Sequence, residues 1–193
     1  MAQYNGFVSI PHGSYDEWRS ATLGNGYDYD HYYADQCWDY VQECYAQYGL
    51  TLYTRAGGGV AADCWRISRQ ANSRTPFISV EGVTNIKRGD IIVWNSSSSS
   101  TTGHIAFADE DYRGGRIWTL GQSPTTYGMY GGVHRQELGL GTFLGIFRNT
   151  LWQGSPTPPE PEYNKGKYNF VLFNRRKRQE KWTKKPLNKK LKS

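Results

Sequence analysis

The stretch YDYDHYYADQCWDYVQECY, residues 27–45, contains the features that decide the fold. From residue 35 to residue 48, apolar side chains recur at helical spacing and form one face: Cys37, Val41, Cys44 and Tyr48. Asp35 is a suitable N-cap for this helix, and Gly49 is a suitable stop. The pattern therefore predicts a helix over 35–48 that carries Cys37 in its first turn.

The rest of the chain up to residue 152 predicts a second helix followed by a sheet. The helix is predicted over 60–72. Strand patterns separated by turn signals then follow in four segments: GDIIVWN (89–95), GHIAFAD (103–109), GGRIWTLGQ (114–122) and GTFLGIFRNTLW (141–152). The serine-rich run at 95–103 is interpreted as a hairpin loop. Helices first and an antiparallel sheet second predict an α+β domain.

Composition divides the 193 residues into three parts. We predict a domain at 1–152, a proline-rich linker at 153–167 and a basic tail at 168–193. Residues 165–193 hold twelve Lys and Arg and one acidic residue, whereas the whole chain has a net charge of only +6. The high isoelectric point is therefore a property of the tail, and the domain is acidic.

The first residues, MAQYNG, have neither a basic start nor an apolar core, and no apolar run in the sequence is long enough to span a membrane. We therefore expect synthesis in a cytoplasm without a secretory signal. Action outside the cell would then require another route of release.

Cys37 is the first candidate for chemistry. Three cysteines, at 37, 44 and 64, cannot all pair and match no zinc-ribbon spacing, so a free thiol is expected. In the first turn of a helix, the dipole and unpaired N–H groups favour thiolate, and the same N–H groups can stabilise an oxyanion. The alternative is a small buried hydrophobe, which is the usual role of a free cysteine.

His104 is the candidate partner of this thiol. It begins a predicted strand after a glycine, on the face of Ala106 and Ala108, whose small side chains leave room for the first turn of a helix. A cysteine and a histidine brought together in this way form an activated nucleophile. A lone histidine at the edge of a strand is also commonly structural.

Three aspartates near Cys37 suggest a metal site. Asp28 and Asp30, the backbone carbonyl of Tyr32 and the helical Asp39 would offer the hard oxygen ligands that Ca²⁺ prefers. The spacing is not that of an EF-hand loop. The alternative is that Asp28 and Asp30 are solvated loop charges and that Asp39 is favoured by the helix dipole.

Four motifs in this order resemble the CHAP family, the cysteine, histidine-dependent amidohydrolases/peptidases of bacteriophage endolysins and virion-associated wall hydrolases. They are GYDYDHYYADQCWDY (26–40), IKRGDIIVWN (86–95), GHIAFADED (103–111) and FLGIFRN (143–149). The resemblance implies a papain-like, NlpC/P60-like fold in which N-terminal helices pack on an antiparallel sheet.

The resemblance implies that Cys37 is the nucleophile and His104 the general base. Many relatives carry a glutamate that orients the imidazole, followed after one residue by an asparagine, and these positions fall here on Gly121 and Ser123. Gln122 is the candidate orienter, although strand alternation points it away from His104 unless Gly121 forms a bulge. A different third residue brought from a loop is the alternative.

Several phage relatives bind calcium beside the catalytic helix, at positions that match Asp28, Asp30, Tyr32 and Asp39. The resemblance therefore favours Ca²⁺ as a structural or regulatory ion. One further ligand position falls on Ala34, which has no donor side chain, so water or another carbonyl would have to replace it.

The implied substrate is peptidoglycan of a Gram-positive host, with cleavage of an amide bond in its peptide part by an N-acetylmuramoyl-L-alanine amidase or an endopeptidase. Release through a holin or carriage on the virion would explain a missing signal peptide. The main alternative is a phage tail or structural protein with an inactive CHAP-like domain, and Gly121 in place of glutamate is its support.

The basic tail departs from the usual wall-binding modules because it is too short for a folded SH3-type domain. We expect attachment to anionic teichoic acids or to other virion proteins. Nucleic-acid binding, which is less expected, and a disordered solubilising role are the alternatives.

Overall fold

The computed structural model describes residues 13–31, 36–54, 60–71, 76–97, 101–122 and 132–152. This part contains three α-helices, α1 (Tyr15–Thr22), α2 (Cys37–Ala46) and α3 (Ala61–Ala71), and a short 3₁₀ helix, Val83–Asn85. Its six strands are β1 (Phe77–Val80), β2 (Ile91–Trp94), β3 (His104–Ala108), β4 (Arg116–Gly121), β5 (His134–Gly139) and β6 (Phe143–Asn149). The predicted linker and tail lie outside the described residues, and their assignments stay predictions.

The predicted helix at 35–48 is confirmed as α2. The helix begins at Cys37, with Gln36 as its N-cap, and the N–H of Gln36 donates to Oδ2 of Asp39 at 2.9 Å. The predicted cap, Asp35, lies outside the described residues. The helix ends three residues before Gly49. Cys37 therefore occupies the first helical position, where backbone N–H groups have no partner within the helix.

The sheet is antiparallel throughout its described pairs, with strand order β1-β6-β2-β3-β4-β5. The four predicted strand segments are confirmed as β2, β3, β4 and β6, and β2 and β3 form the predicted hairpin. The two strands that the sequence did not predict, β1 and β5, are the two edges of the sheet. The α1 helix was also not predicted.

The two faces of the sheet bury different clusters. On one face the helices pack against Ile105 and Phe107, and the ring centroids of Tyr40 and Phe107 are 5.3 Å apart. Full burial of a side chain such as Phe107 stabilises the fold by about 2 kcal/mol. On the other face, Ala106 and Ala108 pack with aliphatic and aromatic side chains of neighbouring strands. The expectation that a helix occupies the Ala106 face is therefore wrong, because α2 packs on the opposite side of β3.

A buried carboxylate joins α1 to the far edge of the sheet. Asp109, just after β3, accepts hydrogen bonds from the Tyr15 hydroxyl at 3.0 Å, from Nε of Arg19 at 2.7 Å and from Nε of Arg135 at 2.7 Å. Removal of such a buried, paired charge lowers the free energy of unfolding by about 3–5 kcal/mol, because its partners lose their counter-charge. Asp109 thus holds the β5 strand, which carries Arg135, against the rest of the domain.

Candidate active site

Cys37 lies half-buried at the start of α2, next to the backbone of β3. Burial raises the pKa of its thiol to about 11, and the negative charge of Asp39 adds to this effect. Hydrogen bonds from the backbone N–H groups of Ile105, Trp38 and Cys37 itself act in the opposite direction and lower the pKa. At neutral pH the resting group is therefore a thiol, surrounded by N–H donors suited to a developing negative charge.

The N–H of Ile105 beside the sulfur belongs to the residue directly after His104. The structure thus brings the first turn of α2 to the backbone of the first residues of β3, one residue from His104.

The position of His104 is fixed by the glycine before it and by an aromatic neighbour. A Cβ on Gly103 would lie 2.5 Å from the carbonyl oxygen of Trp94, and the φ of Gly103 is +71°, so no other residue fits there without a shift of the backbone. Trp94 is the register partner of His104 on β2, and their ring centroids are 5.5 Å apart. His104 is therefore held at the start of its strand by close backbone packing and by a ring contact.

Burial, together with a smaller effect of the charge of His134, lowers the pKa of His104 to about 4. The imidazole is therefore neutral at pH 7 and has a lone pair with which to accept a proton. Together with the raised thiol pKa, this makes the resting arrangement a neutral thiol and a neutral base.

Gln122 does not contact His104. Its buried side chain accepts from the Tyr27 N–H at 2.9 Å and donates to the carbonyl oxygens of Tyr27 and Gln36, at 2.5 and 3.1 Å. β4 pairs with β5 in unbroken register through Gly121, so no bulge turns Gln122 toward the imidazole. The structure therefore gives Gln122 a different role from the predicted one: it ties the loop at Tyr27 to the residue before Cys37.

The side chain that does approach His104 was not predicted. Nε2 of Gln136, on β5, lies 3.4 Å from Nε2 of His104. In the sequence HRQELG the alternation of half-buried and exposed positions marks Gln136 as facing the same side as His134 and Leu138. That alternation is a property of the folded strand; along the sequence, the charged residues at 135 and 137 make the segment resemble a loop.

The three predicted aspartates come together. One carboxylate oxygen each of Asp28, Asp30 and Asp39 lies within 4.8 Å of the others. The pKa of Asp39 is raised to about 7, mainly by burial and also by the charges of Asp30 and Asp28, against the backbone hydrogen bond from Gln36. Oδ1 of Asp28 is buried and has no hydrogen-bond partner among the described residues.

Carboxylates are hard oxygen donors of the kind that Ca²⁺ binds, and one buried oxygen here has no hydrogen-bond partner among the described residues, so the chemistry of these residues fits such an ion. Tyr32, the predicted carbonyl ligand, lies outside the described residues.

The remaining cysteines are structural. Cys44 and Cys64 are buried, all three cysteines are unpaired, and burial raises the pKa of both buried thiols. The expectation of a free thiol is confirmed, and Cys37 is the cysteine with solvent access. Within the described ranges, no helix combines the length and apolar character that a membrane crossing needs.

Comparisons with known proteins agree with this geometry. Residues 23–123, just over half of the chain, match the CHAP domain. The chain is 31% identical over 111 residues to the D-alanyl-L-alanine endopeptidase of Streptococcus phage B30, a match that covers 57% of this chain and 24% of that protein. The chain therefore spans about a quarter of the length of that relative.

Among solved structures, the fold is similar to that of the wild type endolysin LysIME-EF1, with a TM-score of 0.52 and 20% sequence identity. The similarity covers 69% of this chain and 62% of the endolysin. Together with the family match, it confirms the predicted α+β, papain-like fold.

Proposed function

The chain belongs to the CHAP domain family, and from this premise we propose that it is a phage peptidoglycan hydrolase that uses Cys37 as its nucleophile. The observation that carries the proposal is the position of the Cys37 thiol, in the first turn of α2 and beside the N–H of Ile105, the residue after His104. In this proposal the thiol, the neutral imidazole and the backbone donors act together at the start of α2.

The proposed reaction is acyl transfer from an amide to water. His104 takes the proton of the Cys37 thiol while the sulfur attacks the amide carbonyl carbon, and the first-turn N–H groups stabilise the oxyanion. The C–N bond breaks as His104 gives that proton to the leaving amine, which leaves a thioester on Cys37. His104 then deprotonates a water molecule that attacks the thioester, which releases the carboxylic acid and restores the thiol.

The substrate we propose is the peptide part of the cell wall of a Gram-positive bacterium. The similarity to a phage D-alanyl-L-alanine endopeptidase supports cleavage of a peptide bond, with the N-acetylmuramoyl-L-alanine amidase reaction as the other bond type. In this proposal the protein reaches the wall through a holin or as part of the virion.

We also propose that Ca²⁺ binds at Asp28, Asp30 and Asp39. When bound, the ion would supply charge that relieves the repulsion of three carboxylates. Because Asp39 also accepts from the N–H of Gln36 and of Tyr29, ion binding would stiffen the entry to α2, where Cys37 lies.

An inactive structural role is the second candidate, because the family's glutamate position is occupied here by Gly121. Digestion of purified Gram-positive walls separates the two candidates. The hydrolase should release fragments whose new termini, read by mass spectrometry, identify the bond, and Cys37→Ala should release none. A folded protein with a reduced thiol that releases no fragments from several walls would instead support the structural role.

A further inference from the structure

The contact between Gln136 and His104 spans two strand spacings. β4 lies between β3, which carries His104, and β5, which carries Gln136. Neighbouring strands are about 4.8 Å apart, so the two backbones are roughly 10 Å apart. Two long side chains can meet across that distance only if nothing on β4 stands between them.

Gly121 provides this opening. A Cβ built on Gly121 would lie 3.7 Å from Nε2 of His104, 3.7 Å from Nε2 of Gln136 and 3.0 Å from the Cβ of Ala106. Any side chain at position 121 would therefore compete for the space in which the imidazole and the amide meet. The absence of a side chain at Gly121 is therefore what allows Gln136 to reach His104.

The backbone of Gln136 is fixed by a hydrogen bond of its own and by the anchored residue before it. Its carbonyl oxygen accepts from the Thr119 hydroxyl at 3.0 Å, across the register pair of β4 and β5. The preceding residue, Arg135, donates to buried Asp109 at 2.7 Å, and its guanidinium lies 4.4 Å from the ring centre of Trp118. These anchors fix where the Gln136 side chain begins, which is what a positioning residue needs.

We propose that Gln136 is the positioning residue of His104 and takes the place that Gly121 leaves open on β4. This inference rests on the function proposed above. The oxygen and nitrogen of a glutamine amide exchange by a half-turn, and the oxygen then accepts from Nε2–H of His104. That tautomer leaves the lone pair on Nδ1, the ring nitrogen that then takes the proton of Cys37.

A neutral amide selects the tautomer and stabilises the imidazolium less than a carboxylate would. Among the described residues, the charged group that acts on the pKa of His104 is His134 on β5, which disfavours a positive imidazole. The side chain of residue 136 approaches the imidazole to 3.4 Å, so a carboxylate there would act in the opposite direction and raise the pKa of His104.

The experiment compares three variants of the full chain: Gln136→Glu, Gln136→Ala and the control Glu137→Gln. Glu137 is exposed and bonds to Arg116, so its substitution keeps the strand but leaves His104 alone. The His104 imidazole is titrated by NMR, with its signal assigned by loss in His104→Ala. Wall hydrolysis is followed as kcat and KM across pH.

Gln136→Glu should raise the pKa of His104 by at least about one unit and move the acid limb of kcat/KM to higher pH by the same amount. Gln136→Ala should lower kcat about 10- to 100-fold with little change in KM, as expected for a group that orients a catalytic residue. Glu137→Gln should match the wild type in both readouts.

An unchanged His104 pKa in Gln136→Glu, or full kcat in a folded Gln136→Ala, would overturn the proposal. The titration requires no substrate. A wild type that cleaves no wall would thus refute the proposed function. The pKa of His104 in Gln136→Glu would still show whether residue 136 contacts the imidazole.

Discussion

Replacement of Gln122 by leucine tests whether this residue clamps the site. The amide makes three hydrogen bonds, to the N–H and carbonyl of Tyr27 and to the carbonyl of Gln36, and all of it is buried. Each bond contributes about 1 kcal/mol net, and the partners left unsatisfied cost more. Because leucine nearly preserves the volume, we expect a loss of about 3 kcal/mol, which is roughly 6–12 °C in melting temperature for a domain of this size.

The assay is urea denaturation followed by tryptophan fluorescence, with the His104 pKa measured by NMR in the same variant. We expect lower stability, reduced wall hydrolysis because Gln36 precedes Cys37, and an unchanged His104 pKa. Thr119→Val is a buried control on β4, the strand that ends just before Gln122; it removes one hydrogen bond and should cost only about 1 kcal/mol. Wild-type stability in Gln122→Leu would refute the clamp, and a shifted His104 pKa would restore Gln122 as the orienter.

Three further predictions concern the thiol, the ion and the core. The rate at which iodoacetamide labels Cys37 should rise about tenfold per pH unit from pH 7 to 10, because only the thiolate reacts and the pKa of the thiol is raised to about 11. A labelling rate that does not change with pH above 7 would contradict a neutral thiol at pH 7. Millimolar Ca²⁺ should raise the melting temperature by several degrees in the wild type but not in Asp28→Asn, and equal responses would exclude that ligand. Gly145→Ala should cost about 3 kcal/mol in chemical denaturation, because its Cβ would lie 2.3 Å from the Trp65 ring, and a neutral result would show that the ring moves freely.

The elements that the sequence predicted are those with strong local patterns. The apolar spacing through Cys37, Val41 and Cys44 predicts α2 because a helix repeats every 3.6 residues. The α1 helix was also recoverable: Ser14 accepts from the N–H of Glu17, and a serine followed three residues later by glutamate is a helix-start pattern.

β5 lacked such a pattern because it is an edge strand whose exposed positions carry charges, including Arg135 and Glu137. Edge strands are commonly charged, which blocks pairing with other chains but also makes them resemble loops.

Some residues of the candidate site can be identified from local sequence, and others only from the folded structure. Cys37, His104 and the three aspartates are candidates from local position alone; the structure clusters the aspartates and places the thiol of Cys37 beside the residue after His104. The contact of Gln136 with His104 depends on strand order and on the bare Cα of Gly121 between them. Neither is a local property, so spacing along the chain could not predict it.

Whether Cys37 is the nucleophile of a wall hydrolase is tested by the rate at which purified protein clears a suspension of Gram-positive cell walls, measured for the wild type, Cys37→Ala and Cys44→Ala. Both cysteines lie on α2, but Cys44 is buried in the core and has no role in the proposed chemistry. The wild type and Cys44→Ala should clear the walls, and a folded Cys37→Ala should clear none. Clearing by Cys37→Ala at the wild-type rate would contradict a thiol hydrolase.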